Sequence, residues 1–181
     1  HDVNLQKLNV MFAIDRAGLV GADGETHHGI YDISFMRILP NIVLMTPSNE
    51  NEMWKMLNTG LAYSGPSAVR YPRGNTNGNE IILTNDTIEI GKSLTVRTGN
   101  RIALLVFGEI IKNVTDIAKH LSLTLVDMRF AKPLDTMKIK ELAGTHQYII
   151  TIEDNVITGG AGSSVNEYIN DNGLKVNVLN I

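Results

Sequence analysis

The sequence predicts an α/β protein of two doubly wound domains with largely parallel sheets. Three observations carry this. Short apolar runs alternate with segments of helical period along the chain. That alternation restarts after a polar stretch, Asn75–Glu80. Turn-forming, titratable loops follow the apolar runs, as at the strand ends of open α/β sheets.

In the first half, Val10–Ile14 reads as a buried, parallel-type strand. Asp15–Gly29 follows, with glycines at 18, 21, 24 and 29, and is built to turn. Tyr31–Leu39 is a short helix closed by Pro40, and Ile42–Met45 a compact strand. Ser48 is the expected N-cap of a helix running through Met53–Leu57 towards Gly60, with Glu50 and Glu52 favouring its dipole. Ala68–Tyr71 is a third strand, stopped by Pro72 and followed by Arg73. In the second half, strands are expected at Ser93–Val96, Ile102–Phe107, Leu123–Val126, Tyr148–Ile152 and Val176–Leu179. Helices are expected at Ile110–Leu121, Thr136–Leu142 and Gly159–Ile169.

Composition narrows the class. With 43% hydrophobic residues, 19% charged residues and a net charge of −3, nothing points to nucleic acid. No apolar run approaches the roughly 18 residues of a membrane span. The 181 residues include no cysteine, which removes disulfides and thiolate metal sites and fits an intracellular protein. Because the chain opens at His1 and stops at Ile181 after a strand-like run, a truncated piece of a larger protein is expected.

Function is sought first in Asp15–Gly29. His27 and His28 lie off any apolar face, so each is a catalytic candidate or a solvated loop histidine. A metal site from Asp23, His27 and His28 has suitable ligand types but no recognisable spacing. Asp23 either closes a local Asx turn or orients an imidazole or substrate hydroxyl. Arg16 and Arg73 each follow a strand, so both can project from one sheet edge, where paired guanidiniums suit carboxylate or phosphate. A second glycine-rich run, Thr158–Ser164, could hold a phosphate at a helix N-terminus but matches no phosphate-loop template. A tight strand-to-helix connection accounts for it better. Glu153-Asp154 before it reads as a helix-edge or interface pair.

The strings are themselves distinctive. Phe12-Ala-Ile-Asp-Arg-Ala-Gly-Leu-Val-Gly-Ala-Asp-Gly-Glu-Thr-His-His-Gly29 closely resembles the 1-deoxy-D-xylulose-5-phosphate synthase family, thiamine-diphosphate enzymes of the transketolase superfamily. The resemblance continues through Pro40–Val43, Thr46–Glu52, Gly65–Gly74, Leu125–Asp135 and Gly159–Glu167, nearly the whole chain. It implies a truncated pyrimidine-binding domain at 1–77, a linker at 78–87 and a truncated C-terminal domain at 88–181. It further implies condensation of pyruvate, with decarboxylation, onto D-glyceraldehyde 3-phosphate, the first step of the non-mevalonate isoprenoid pathway. Carried over by position, Arg16 and Arg73 bind the acceptor's phosphate. Asp23 and His27 face the thiazolium and the substrate-derived intermediate, His27 moving protons, and His28 becomes a bystander. Thiamine diphosphate and Mg2+ serve the intact enzyme, whose main diphosphate and metal ligands lie outside this chain, so the fragment alone is expected to be inactive. A homodimer in the bacterial cytoplasm, or a plastid if the source is a plant or alga, is the expected setting. The alternative is a non-catalytic half or separate subunit of a transketolase-like or 2-oxoacid-dehydrogenase-type enzyme that completes a partner's active site.

Overall fold

The computed structural model describes residues 1–75 and 80–181. In chain order the first half contains α1 (Asp2–Leu5), β1 (Met11–Ile14), short 3-10 turns at Gly21–Asp23 and Glu25–His27, α2 (Asp32–Met36), β2 (Val43–Met45), α3 (Glu50–Ala62) and β3 (Ser67–Arg70). The second contains β4 (Leu94–Arg97), β5 (Ile102–Phe107), α4 (Ile111–His120), β6 (Thr124–Asp127), β7 (Phe130–Lys132), α5 (Thr136–Thr145), β8 (Tyr148–Glu153), α6 (Ala161–Asp171) and β9 (Asn177–Asn180). The linker expected at 78–87 begins in residues outside the described part.

Two sheets result, ordered β1-β3-β2-β7 and β4-β6-β5-β8-β9. All pairings are parallel except β2 with β7 and β4 with β6. β3 is buried along its whole length, as the central strand of a covered parallel sheet must be. Its register puts Ile14 of β1 opposite Arg70 of β3. The two strands therefore end level, and residues 15–16 and 71–73 leave the sheet side by side.

Two local expectations are corrected, and one strand adds to them. β1 is parallel but not buried: it is the sheet's edge strand, and Phe12 and Ala13 are exposed. An apolar run alone does not tell a central strand from an edge. The cap of α3 is Asn49 rather than Ser48, because the Asn49 carboxamide accepts the Glu52 amide at 2.9 Å. Lastly, β7 was not anticipated, and it leaves the second half to pair with β2 of the first.

That strand joins the halves. Phe130 is fully buried among Val43, Met45, Met56 and Val69; burying such a ring contributes roughly 2–3 kcal/mol. Beside it, Thr46 donates its amide to the Arg129 carbonyl at 2.8 Å, and Arg129 pairs with Glu52 at 2.7 Å. The main core is continuous across the junction, with Ile33, Ile42 and Leu44 in one cluster with Leu105, Phe107 and Val126. The second half thus holds the first half's strand ends in place.

Candidate functional site

The site begins where β1 and β3 end. Arg16 adopts φ of 61°, turning the chain sharply as it leaves β1. Two hydrogen bonds from the Gly29 amide, to the carbonyls of Arg16 (2.9 Å) and Gly18 (3.0 Å), close the loop at its neck. Gly18 returns its amide to the Gly29 carbonyl at 2.8 Å. Only glycine fits at 29, since a Cβ there would lie 2.2 Å from the Arg16 carbonyl oxygen. Ala17 donates to the Tyr71 carbonyl at 3.0 Å, tying the neck to the segment that leads to Arg73.

Within the loop, Asp23 stands between the two arginines. One carboxylate oxygen accepts from Arg16 Nε at 2.8 Å and the other from Arg73 Nη1. The carboxylate is largely covered, at 16% exposure, whereas Arg73 is 54% exposed. The Arg16 hydrogen bond, with Arg73's charge beside it, holds the Asp23 carboxyl below the usual range despite partial burial. The Asp23 bond and the adjacent Asp15, 2.5 Å from Arg16 Nη1, raise the Arg16 guanidinium further. The structure therefore brings together Arg16, Asp23 and Arg73, although Arg73 lies fifty positions beyond Asp23.

The histidines separate cleanly. His28 is half-buried and its Nδ1 accepts the Val20 amide at 2.9 Å, so it braces the loop from within. This gives His28 a structural task that its sequence position did not disclose. His27 is exposed, and its Nδ1 lies 3.1 Å from the Thr26 hydroxyl. Asp23 spends its oxygens on guanidiniums, so its recorded partners are not an imidazole.

Arg16 and Arg73 line one cleft of about 550 Å³, with Asp15, Asn49, Glu109 and Lys112 also on its walls. Lys112, from α4, pairs with Glu109, so the second half contributes a further cation to this cleft. It went unread because only the fold brings α4 to the loop. Arg73 also borders a recess of about 470 Å³ beside Leu19–Ala22. Arg70 was missed too, although an arginine inside an apolar run was a visible signal. Its side chain is 1% exposed and bonded to Asp32 and to the Gly29 carbonyl.

At the second glycine-rich run, the N-terminus of α6 already holds an anion. The Glu153 carboxylate accepts the amides of Ala161 and Gly162, each at 2.8 Å. A Cβ at Gly160 would lie 2.6 Å from that carboxylate. The run is a strand-to-helix connection, with no room for a diphosphate. Among the described residues no group of three or more His, Asp or Glu side chains is arranged to hold a metal ion. No helix among them is long and apolar enough to cross a membrane.

Two largely parallel sheets with alternating helices, joined where β7 pairs with β2, make this an α/β protein of two linked halves. Residues 1–79 match the transketolase pyrimidine-binding domain, and residues 91–181 match the transketolase C-terminal domain. The chain belongs to the transketolase family. Among its relatives are the 1-deoxy-D-xylulose-5-phosphate synthases of Mannheimia succiniciproducens, 54% identical over 181 residues, and Pseudoalteromonas translucida, 53% identical. The synthase of Pseudomonas aeruginosa is 50% identical. Each comparison covers 100% of this chain and 29% of the relative's length. A solved structure titled "Split gene transketolase, inactive beta4 tetramer" superposes with a TM-score of 0.83 at 25% identity, covering 98% of this chain and 58% of that one.

Proposed function

We propose that this chain is the pyrimidine-binding and C-terminal portion of a 1-deoxy-D-xylulose-5-phosphate synthase, which condenses pyruvate, with loss of carbon dioxide, with D-glyceraldehyde 3-phosphate. The observation that carries the reading is the convergence of Arg16 and Arg73 on one carboxylate at a sheet edge. Relatives at 50–54% identity over the whole chain support the same activity. A non-catalytic half is not favoured, since likeness to the split-gene transketolase is only 25% in sequence. The proposed division remains 1–77, 78–87 and 88–181, supported by the two domain matches. A homodimer in the cytoplasm completes the proposal, and the absence of cysteine fits a reducing compartment.

Thiamine diphosphate, the proposed cofactor, is a carbanion-stabilising group. The described residues do not fit its diphosphate and Mg2+: they offer no metal cluster, and the glycine-rich helix start is filled by Glu153. We place those ligands in the larger part of the relatives' length that this chain does not span. This chain's share is the acceptor.

Arg16 and Arg73 are the phosphate clamp, each guanidinium offering paired donors. Asp23 bonds to both, which keeps the two forks facing one point. An arriving phosphate dianion displaces Asp23 from at least one of them, and the more exposed Arg73 is the arm that opens. Anchoring the far end of the aldehyde orients its carbonyl without touching the reacting carbon. His27, exposed four residues after Asp23 with Nδ1 turned to Thr26, offers Nε2 for proton transfer to and from a substrate hydroxyl.

The test is Arg73→Ala in the full-length enzyme. KM for glyceraldehyde 3-phosphate rises by roughly ten- to a hundredfold, the worth of one lost charge-assisted contact, while KM for pyruvate holds. Equal effects on both substrates would remove the phosphate assignment.

A further inference from the structure

One carboxylate of the second half reaches the neck of the site loop. Asp154 follows β8 and its Oδ1 accepts from Arg70 Nη1. Arg70, at the end of β3, also donates from Nε to Asp32 Oδ2 at 2.6 Å, and from Nη2 to Asp32 Oδ1 at 3.2 Å and the Gly29 carbonyl at 2.9 Å. One buried guanidinium thus joins α2, the loop neck and the second half. Burial works against its charge, but Asp154 and Asp32 outweigh that and hold it protonated.

Asp154 makes a second contact. Gly18 sits at φ of 77°, and a Cβ there would come within 3.1 Å of the Asp154 Cβ and Oδ2. The aspartate therefore lies directly over the loop's first turn while holding Arg70. Gly18 is two residues from Arg16, and Arg70 is three residues from Arg73. The carboxylate acts on both arms of the clamp at once: through Gly18 and Gly29 on Arg16, and through Arg70 and the following segment on Arg73. The Val156 amide also donates to the Ile30 carbonyl at 2.8 Å, one residue past the neck, but Asp154 is the side chain that meets Gly18 and Arg70 together.

We infer that Asp154 is a positioning residue that sets the separation of Arg16 and Arg73, so that the second half tunes phosphate recognition without touching the phosphate. This rests on the proposed phosphate role of the two arginines. Removing Asp154 leaves Arg70 paired with Asp32, so the core bond persists while the neck loses its outer brace. Misaligning the clamp weakens a charge-assisted contact to the phosphate, worth roughly ten- to a hundredfold in binding.

The experiment uses full-length enzyme carrying Asp154→Ala, Asp154→Asn or Arg73→Ala, with steady-state kinetics on pyruvate and D-glyceraldehyde 3-phosphate. Asp154→Ala raises KM for the phosphorylated aldehyde between roughly ten- and a hundredfold and leaves KM for pyruvate unchanged. Asp154→Asn keeps an oxygen acceptor for Arg70 but not the charge, so its aldehyde KM rises by a smaller amount, roughly three- to tenfold, which carries the test if the alanine variant does not fold. An aldehyde KM unchanged in both folded variants, or in Asp154→Asn where only that one folds, or parallel changes for both substrates, overturns the inference. If Arg73→Ala alone raises the aldehyde KM, the clamp stands and only the positioning role falls. If Arg73→Ala leaves it unchanged as well, the phosphate reading itself fails.

Discussion

Asp127 is the least comfortable carboxylate in the junction between the halves, and replacing it with asparagine has a calculable consequence. It closes β6 at 1% exposure, and one oxygen accepts the Arg129 amide at 3.0 Å. Burial pushes its carboxyl up from 3.8 to about 6; the neighbouring Glu52 adds to the rise, while Ser48, the Arg129 amide and the Arg129 charge oppose it. The folded value is raised above the unfolded one, so the folded state binds the proton more tightly. This group's contribution to stability is therefore best at low pH and falls as pH rises from about 3.8 towards 6. At 1.36 kcal/mol per unit, the ionised carboxylate costs about 3 kcal/mol at about pH 8, roughly half of which is already present near pH 5. Asparagine keeps an acceptor for the Arg129 amide and removes the charge. Urea unfolding of full-length Asp127→Asn is expected to show stability equal to or above the parent at about pH 8. That advantage shrinks by roughly 1–1.5 kcal/mol near pH 5. A variant destabilised by more than about 2 kcal/mol at about pH 8, or a difference that does not change with pH, would mean that the buried Asp127 charge is not costly to the fold.

Other expectations follow from single contacts. Glu153→Gln removes the charge that caps α6 and sets an amide N–H₂ against a backbone donor, a loss of about 2–3 kcal/mol. The amides of Ala161 and Gly162 should then exchange with solvent roughly 30- to 150-fold faster; unchanged exchange contradicts the cap. Gly29→Ala forces a Cβ against the Arg16 carbonyl, so limited proteolysis should find new cleavage within residues 15–29. An uncut loop would mean the neck tolerates a side chain. His27→Ala should lower kcat by about a hundredfold or more, the range for a proton-transfer group, with little change in KM. Unchanged turnover would make His27 a bystander.

Much of the fold was legible because its strands are short apolar runs and its helices have periodic faces. The β5 run Ile102–Phe107 and the α4 pattern from Ile110 both stand where periodicity put them. β7 was not legible: three residues carry no period, and its partner β2 is far away in sequence. The edge position of β1 was hidden for a related reason, since pairing order is a property of the sheet and not of the run. At the site, strand ends and residue types pointed to Arg16 and Arg73. That Asp23 bridges them across the loop depends on β1 and β3 ending level. His28 gave no sign of its bond to Val20, because an internal loop brace is set by backbone geometry. Arg70 was readable as a charge in an apolar strand, whereas its partner Asp154 required the packing of one half on the other.

The proposed recognition of the acceptor's phosphate by Arg16 and Arg73 is probed best by substrate discrimination. Full-length enzyme would be compared with Arg16→Ala and Arg73→Ala on D-glyceraldehyde 3-phosphate and on unphosphorylated D-glyceraldehyde, each with saturating pyruvate. The parent should prefer the phosphorylated aldehyde in kcat/KM, and each substitution should cut that preference by roughly ten- to a hundredfold while leaving the unphosphorylated reaction nearly intact. A preference that survives both substitutions would contradict phosphate recognition by the two arginines.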